Sequence, residues 1–424
     1  MTLESHSLVI DGATLIDGSG APPVPDAVVL IQDDRIRYAG PRRELAAPPS
    51  ARRITALGKT VVPGLIDLHN HSTFDADMRV YLKNGVTTIR FAGLNQDAVV
   101  RLRERASRGE VSAPRILSCG PMLDRTPPAY PKWTSPVDTP AEAAATARRL
   151  LTEERVEALL VTQQITPELM RPIVDVAHEF GRPVVGQIWH TDGREAAELG
   201  IDQLDNSSRI FASHEYPKAR LLSYRSIAER LGLLSRGWMA IDWELTAPIM
   251  EAMVAHGVSY CPTLVVHQNQ AGVGLRELEA DRDYRTLYGE AERREWAAFI
   301  DYVQGTWTAE DQRCMAVATE QRIEWMRRFH AMGGTLVVGV DMQFGGIMLH
   351  RELQNLAAAG LSPLEVIAAA TGRSARELGM GDSLGTIEAG KLADLLVING
   401  NPLDDLAALR DIDRVVKDGQ IVEL

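Results

Sequence analysis

The 424-residue sequence has little of what marks a secreted, membrane-bound or nucleic-acid-binding chain. Its three cysteines, Cys119, Cys261 and Cys314, stand far apart with no CxxC pair, which argues against a disulfide framework or a structural zinc knuckle. No apolar run approaches the ~20 residues of a membrane span. The opening stretch, MTLESHSLVIDG, lacks the basic start and apolar run of a secretory leader. Basic excess is missing too: the net charge is -12 with acids and bases interspersed, whereas nucleic acid and anionic membrane surfaces require a basic patch. These absences predict a soluble, cytoplasmic protein that meets a small molecule rather than a polyanion. What is present, 45% apolar and 24% charged residues with Gly 34 and Pro 22, suits a loop-rich α/β protein with one large catalytic domain and a smaller one.

The two ends of the chain are alike. Near the start, LVIDGATLIDGSG and AVVLIQDDRIRYAG alternate short apolar runs with turn signals, and the last forty residues repeat that style, so both predict antiparallel hairpins. The middle alternates helical patterns such as TPELMRPIVDVAHEFG with short apolar runs: GLIDLH, GVTTIRFAG, APRILSCG, VEALLVT, RPVVGQIW, IDQLDN, VSYCPTLVV and GGTLVVGVD. Some eight strands buried on both faces and separated by helices predict a parallel (β/α)8 TIM barrel with active groups at the strand C-termini. The expected division is a barrel over 63–382 and a composite small β-sandwich from 1–62 and 383–424. A polar, helical stretch at about 270–332 interrupts the repeat; it reads as a solvated insertion or, alternatively, as a lid whose Trp296 and Trp307 meet substrate.

The stretches VVPGLIDLHNHS and SLGTIEAGKLADLLVINGNPLDD resemble the two signatures of the amidohydrolase superfamily, in its imidazolonepropionase- and prolidase-like branch. The resemblance spans essentially the whole chain and implies the same barrel and composite β domain. It also implies metal-assisted hydrolysis of an amide-like, cyclic C–N or ester bond. In the two-metal form one cation is held by a strand-1 HxH and a strand-8 Asp, and a strand-4 carboxylated Lys bridges to a second, bound by His residues of strands 5 and 6. On this sequence His69 and His71 match the HxH, and Asp341 in LVVGVDMQ matches the strand-8 Asp. Alternate strand residues point the same way, so both imidazoles can face the barrel mouth.

The remaining positions depart from the family pattern. Leu160 stands at the lysine, Gln187 at the strand-5 histidine and Asn206 at the strand-6 histidine. The lost groups are those of the second cation. Three alternatives stay open: a mononuclear hydrolase holding one divalent metal, zinc by preference, on His69, His71 and Asp341; a metal-free lyase, isomerase or cyclase using that trio as acid and base, with Gln187 and Asn206 donating hydrogen bonds; and a non-catalytic binding protein. His190, three residues after Gln187, reads as a replacement ligand or substrate contact, or as a loop histidine. His267, after CPTLVV, reads as a substrate contact or a loop residue. Tyr260 and Cys261 read as strand packing. Few basic residues fall at strand ends, which disfavours a strongly anionic substrate. A homodimer is expected by analogy.

Overall fold

The computed structural model describes residues 7–45, 48, 50–206, 208–223, 226–271 and 275–423. Eight strands drawn from both ends of the chain form one sheet. Ser7–Leu15 pairs antiparallel with Val24–Gln32 and parallel with Arg52–Thr55 and Lys59–Pro63. Lys59–Pro63 then pairs antiparallel with Leu395–Asn399, in the register Pro63 to Leu395. Ile10, Ile31, Ile36, Val61, Leu395 and Val416 share one apolar cluster, which joins the two ends of the chain.

The middle forms the barrel. Strands β1 (Leu65–Asn70), β2 (Val86–Phe91) and β3 (Arg115–Ser118) pair in parallel. So do β4 (Leu159–Gln163), β5 (Val184–Ile188), β6 (Gln203–Asp205) and β7 (Ser259–Cys261). Residues 335–341 take the eighth position: Tyr260 N donates to Thr335 O at 2.9 Å, Leu68 N to Val338 O at 2.9 Å and Asp341 N to His69 O at 2.8 Å. On the other seam Glu157 N donates to Ser118 O at 2.9 Å. The helix predicted in TPELMRPIVDVAHEFG spans Pro167–Glu179, with proline in its first turn and Leu169, Met170, Ile173, Val174 and Ala177 buried.

The strand predicted through VSYCPTLVV is shorter than its apolar run. It stops at Cys261; Pro262 removes a donor, Thr263 turns left-handed at φ 43°, and Leu264–Gln270 is a helix. Its first N–H groups, on Leu264 and Val265, each donate at 2.8 Å to one oxygen of buried Glu352, which caps the helix from a distant element.

The 270–332 segment contains the helices Leu275–Ala280, Arg282–Leu287, Glu290–Thr306 and Ala309–Ala331. It is not a solvated appendage. Trp307 Nε1 donates to Ala228 O at 3.1 Å, and its ring packs with Leu231, Val303 and Met315. The Trp296 ring sits 5.6 Å from Phe299 and 6.5 Å from Phe344. Both tryptophans, expected as substrate contacts, are buried in these packing contacts. The insertion is also tied to the first barrel loop, because Tyr288 OH donates to Asp77, which accepts from Ser72 as well.

Candidate active site

His69, on β1, is fully buried at the strand's end, and His71, two residues on, is half-buried. Their Nε2 atoms lie 3.2 Å apart. Asp341 Oδ1 is 3.3 Å from His69 Nε2 and 2.8 Å from His71 Nε2. The ligand atoms of these residues all lie within 4.8 Å of one another, and they form the cluster of metal-ligating type found among the described residues.

The backbone brings these groups together by leaving regular geometry at the strand ends. Asn206 and Asp341 both take left-handed conformations, at φ 52° in each case. Asx residues tolerate that region best, at a cost of roughly 1–2 kcal/mol per residue. At Asn206 the turn breaks strand alternation, so Asp205 and Asn206, adjacent in sequence, both reach the site. Asp205 Oδ2 accepts from His69 Nδ1 at 2.7 Å, with both side chains sealed from solvent. Asn206 Nδ2 donates to Asp341 Oδ2. Asn206 Oδ1, 2.9 Å away, therefore accepts from His267 Nε2, which fixes the His267 tautomer. The Gln187 amide nitrogen lies 3.3 Å from His69 Nε2; rotated, its oxygen faces the same point.

This arrangement demands a positive charge. With the Nδ1–H of His69 donating to Asp205, its Nε2 lone pair faces the Asp341 carboxylate, and the contact repels unless a proton or a cation lies between them. Burial disfavours the imidazolium, but Asp341 and the bond to Asp205 outweigh it and raise the His69 pKa to about 10. Burial alone would raise the Asp341 carboxyl; the charges of and hydrogen bonds from His69 and His71 instead hold it well below the usual carboxylate range. A divalent ion also satisfies the site. Ligands at ~2.1 Å from a tetrahedral metal stand roughly 3.4 Å apart, close to two of the three spacings here. The carboxylate behind His69 is the usual orienting partner of a metal-binding imidazole. The donor set fits a single metal.

Leu160 packs with Ala92, Cys119, Met122 and Val185, an apolar environment with nothing to ligate. His190 stays outside the cluster. Just past the end of β5 its backbone N donates to Gln163 O at 2.8 Å, and burial together with Lys218 and Arg125 lowers its pKa. His267, expected as a substrate contact or a loop residue, lies in a helix, where it is buried and joined to Asn206. Burial and Arg322 push its pKa well down. Sequence reading missed Asp205, which stands among several polar residues in GIDQLDNSSRI and so carries no signal of its own. It also missed Arg90, fully buried on β2, with Nη2 3.7 Å from Asp205 Oδ2.

Among curated proteins, an imidazolonepropionase from Methylobacterium sp. is 26% identical over 412 residues, covering 91% of this chain and 90% of the relative. An imidazolonepropionase from Cereibacter sphaeroides is 38% identical over 113 residues; that match covers 24% of this chain and spans only 28% of the relative's length. Among solved structures, a Bifidobacterium longum protein described as a prolidase superposes with a TM-score of 0.72 at 26% identity, covering 99% of this chain and 95% of that one. No helix among the described residues is long and apolar enough to cross a membrane. A model of the amidohydrolase family matches residues 60–422, most of the chain, and the chain belongs to that family.

Proposed function

We propose that this chain hydrolyses a C–N bond, amide or cyclic amide, or an ester in a small molecule, at a mononuclear site formed by His69, His71 and Asp341. Family membership makes it a hydrolase, and relatives named imidazolonepropionase and prolidase motivate the choice of bond. The observation that carries the reading is the meeting of three metal-type donors at a point that requires positive charge. A divalent ion there, zinc for this nitrogen and oxygen set, supplies Lewis-acid polarisation and acidifies water.

The chain's own groups do the rest. Asp205 fixes the His69 tautomer and keeps Nε2 pointed into the site. Asn206 occupies Asp341 Oδ2, which leaves Oδ1 as the basic oxygen facing the histidines. Asp341 Oδ1, facing both histidines, is placed to take the proton of the attacking water and pass it to a leaving nitrogen. Gln187 stands beside His69 to hydrogen-bond a substrate oxygen.

The same charge requirement supports a second reading. A proton on His69 meets it without a metal, and the trio then serves as acid and base for lyase or isomerase chemistry. Elemental analysis with chelation separates the two. The hydrolase reading expects about one divalent ion per chain, lost with activity on chelation and restored with it by zinc. Full activity in metal-free protein refutes it in favour of the second reading.

A further inference from the structure

Asp77 is fully buried in the first turn of helix Asp75–Lys83 and accepts hydrogen bonds from three separate parts of the chain. The first donor is the hydroxyl of Ser72, the residue after His71. The second is the backbone N–H of Phe344, 3.2 Å away and shortly past Asp341 in sequence. The third is the hydroxyl of Tyr288, on the helical insertion. Burial lifts the Asp77 carboxyl to about 6 against the pull of these donors, so it is ionised at neutral pH and its hydrogen bonds are charge-assisted.

The segments that carry the candidate ligands need such a tie. Asp341 and Phe344 both hold left-handed backbone, at φ 52° and φ 63°, and neither is a glycine. Strained conformations of this kind persist only where surrounding contacts fix them. Helix Gly345–Ala358 begins at Phe344 without a side-chain cap of its own, and the Asp77 carboxylate stands at that end, where the helix dipole favours negative charge. There is no slack behind it: a Cβ on Gly346 would lie 2.7 Å from Val80 O in helix Asp75–Lys83. On the other side the Phe344 ring meets the insertion edge-on, with centroids 4.6 Å from Tyr288 and 4.9 Å from Tyr284. Ser72 is fixed as well, because its N–H donates to Asn70 Oδ1 at 2.9 Å and closes the turn that carries His71.

We propose that Asp77 is a positioning residue that clamps the turn carrying His71 to the loop carrying Asp341, with Tyr288 of the insertion as the third arm of the clamp. The insertion then acts on the site without entering it, by helping to hold the 2.8 Å approach of His71 Nε2 to Asp341 Oδ1. The proposal rests on the mononuclear reading for its effect on a metal and on the three hydrogen bonds to Asp77 for its geometry.

The test uses the full-length protein with Tyr288→Phe, Asp77→Ala and the double variant. Zinc affinity is read by chelator competition on folded protein, and backbone amide exchange is read on metal-free protein. Tyr288→Phe removes one hydroxyl and keeps the ring. It should weaken zinc binding about 10-fold, the lower end for a group that orients a ligand through another residue. It should also speed exchange of the Phe344 amide about 10-fold as the clamp opens. In the Asp77→Ala background the same change should add less than about twofold to either loss, because the hydroxyl acts through the carboxylate. A purely structural tyrosine would instead lower the folded fraction and leave zinc affinity per folded chain as it was. Zinc affinity within about twofold of the parent in Tyr288→Phe, unchanged Phe344 exchange, or full additivity in the double variant overturns the proposal. Where Asp77→Ala fails to fold, the two readings on Tyr288→Phe decide. A parent protein that binds no zinc overturns the metal reading instead, and the exchange measurements then decide the clamp alone.

Discussion

Asp205→Asn is the sharpest probe of the site because it changes a charge while hardly changing shape. Asp205 touches nothing that reacts; it accepts the Nδ1 proton of His69 at 2.7 Å inside a sealed environment. Replacing such an orienting carboxylate lowers metal affinity by roughly 10- to 100-fold, or about 1.4–2.7 kcal/mol. The fold is affected as well, because fully buried Arg90, 3.7 Å away, loses its nearest counter-charge. Breaking a buried pair costs about 3–5 kcal/mol, and the long separation places this one toward the lower end. Zinc affinity by competition with a calibrated chelator, kcat/KM, and the urea midpoint report the three effects separately. Zinc affinity within twofold of the parent, with kcat/KM unchanged, would refute the claim that Asp205 sets the state of His69.

Other substitutions test the surroundings. Burial raises the Glu352 pKa to about 7, although the N–H groups of Leu264 and Val265 and the Asn355 amide pull it down. A carboxyl held above its ordinary value binds its proton more tightly folded than unfolded. Its contribution is fully present below about pH 4.5 and is lost as pH rises through 7, a change of about 3 kcal/mol. Glu352→Gln should flatten this slope in urea midpoints between pH 5 and 8, and an unchanged slope contradicts the assignment. Tyr288→Phe removes the donor to buried Asp77 that ties the insertion to the first barrel loop. It should cost about 1.5–3 kcal/mol of stability, and a loss below about 0.5 kcal/mol would show the tie to be unimportant. The triple variant Leu160→Lys, Gln187→His, Asn206→His should raise bound metal from about one to about two ions per chain without improving the native reaction. Faster turnover in that variant would show that the two amides have no catalytic use.

Much of the architecture was legible because strand and helix periods write themselves into sequence, and His69 and His71 share a face for the same reason. The second half of VSYCPTLVV misled because Val and Leu serve a buried helix as readily as a strand, and the left-handed turn at Thr263 carries no glycine to announce it. His267 changed element with it. The bond between His69 and Asp205 joins residues 136 apart and has no local signature. Arg322 is a different case. Its spacing from Ala318, Trp325 and Met326 places it on the inward face of its helix, so a signal existed. It is masked because an arginine within a polar, charged insertion reads as a solvent contact.

The sheet that joins the two ends of the chain also has a consequence for synthesis. Lys59–Pro63 is among the earliest strands made, yet its antiparallel partner, Leu395–Asn399, lies more than 300 residues later. While the ribosome builds the barrel, that early strand has an unpaired hydrogen-bonding side, the kind of edge other chains can pair with. Production of the folded protein should therefore depend more on chaperone supply than on the strength of the barrel core, and a chain stopped before Leu395 should aggregate through its N-terminal strands.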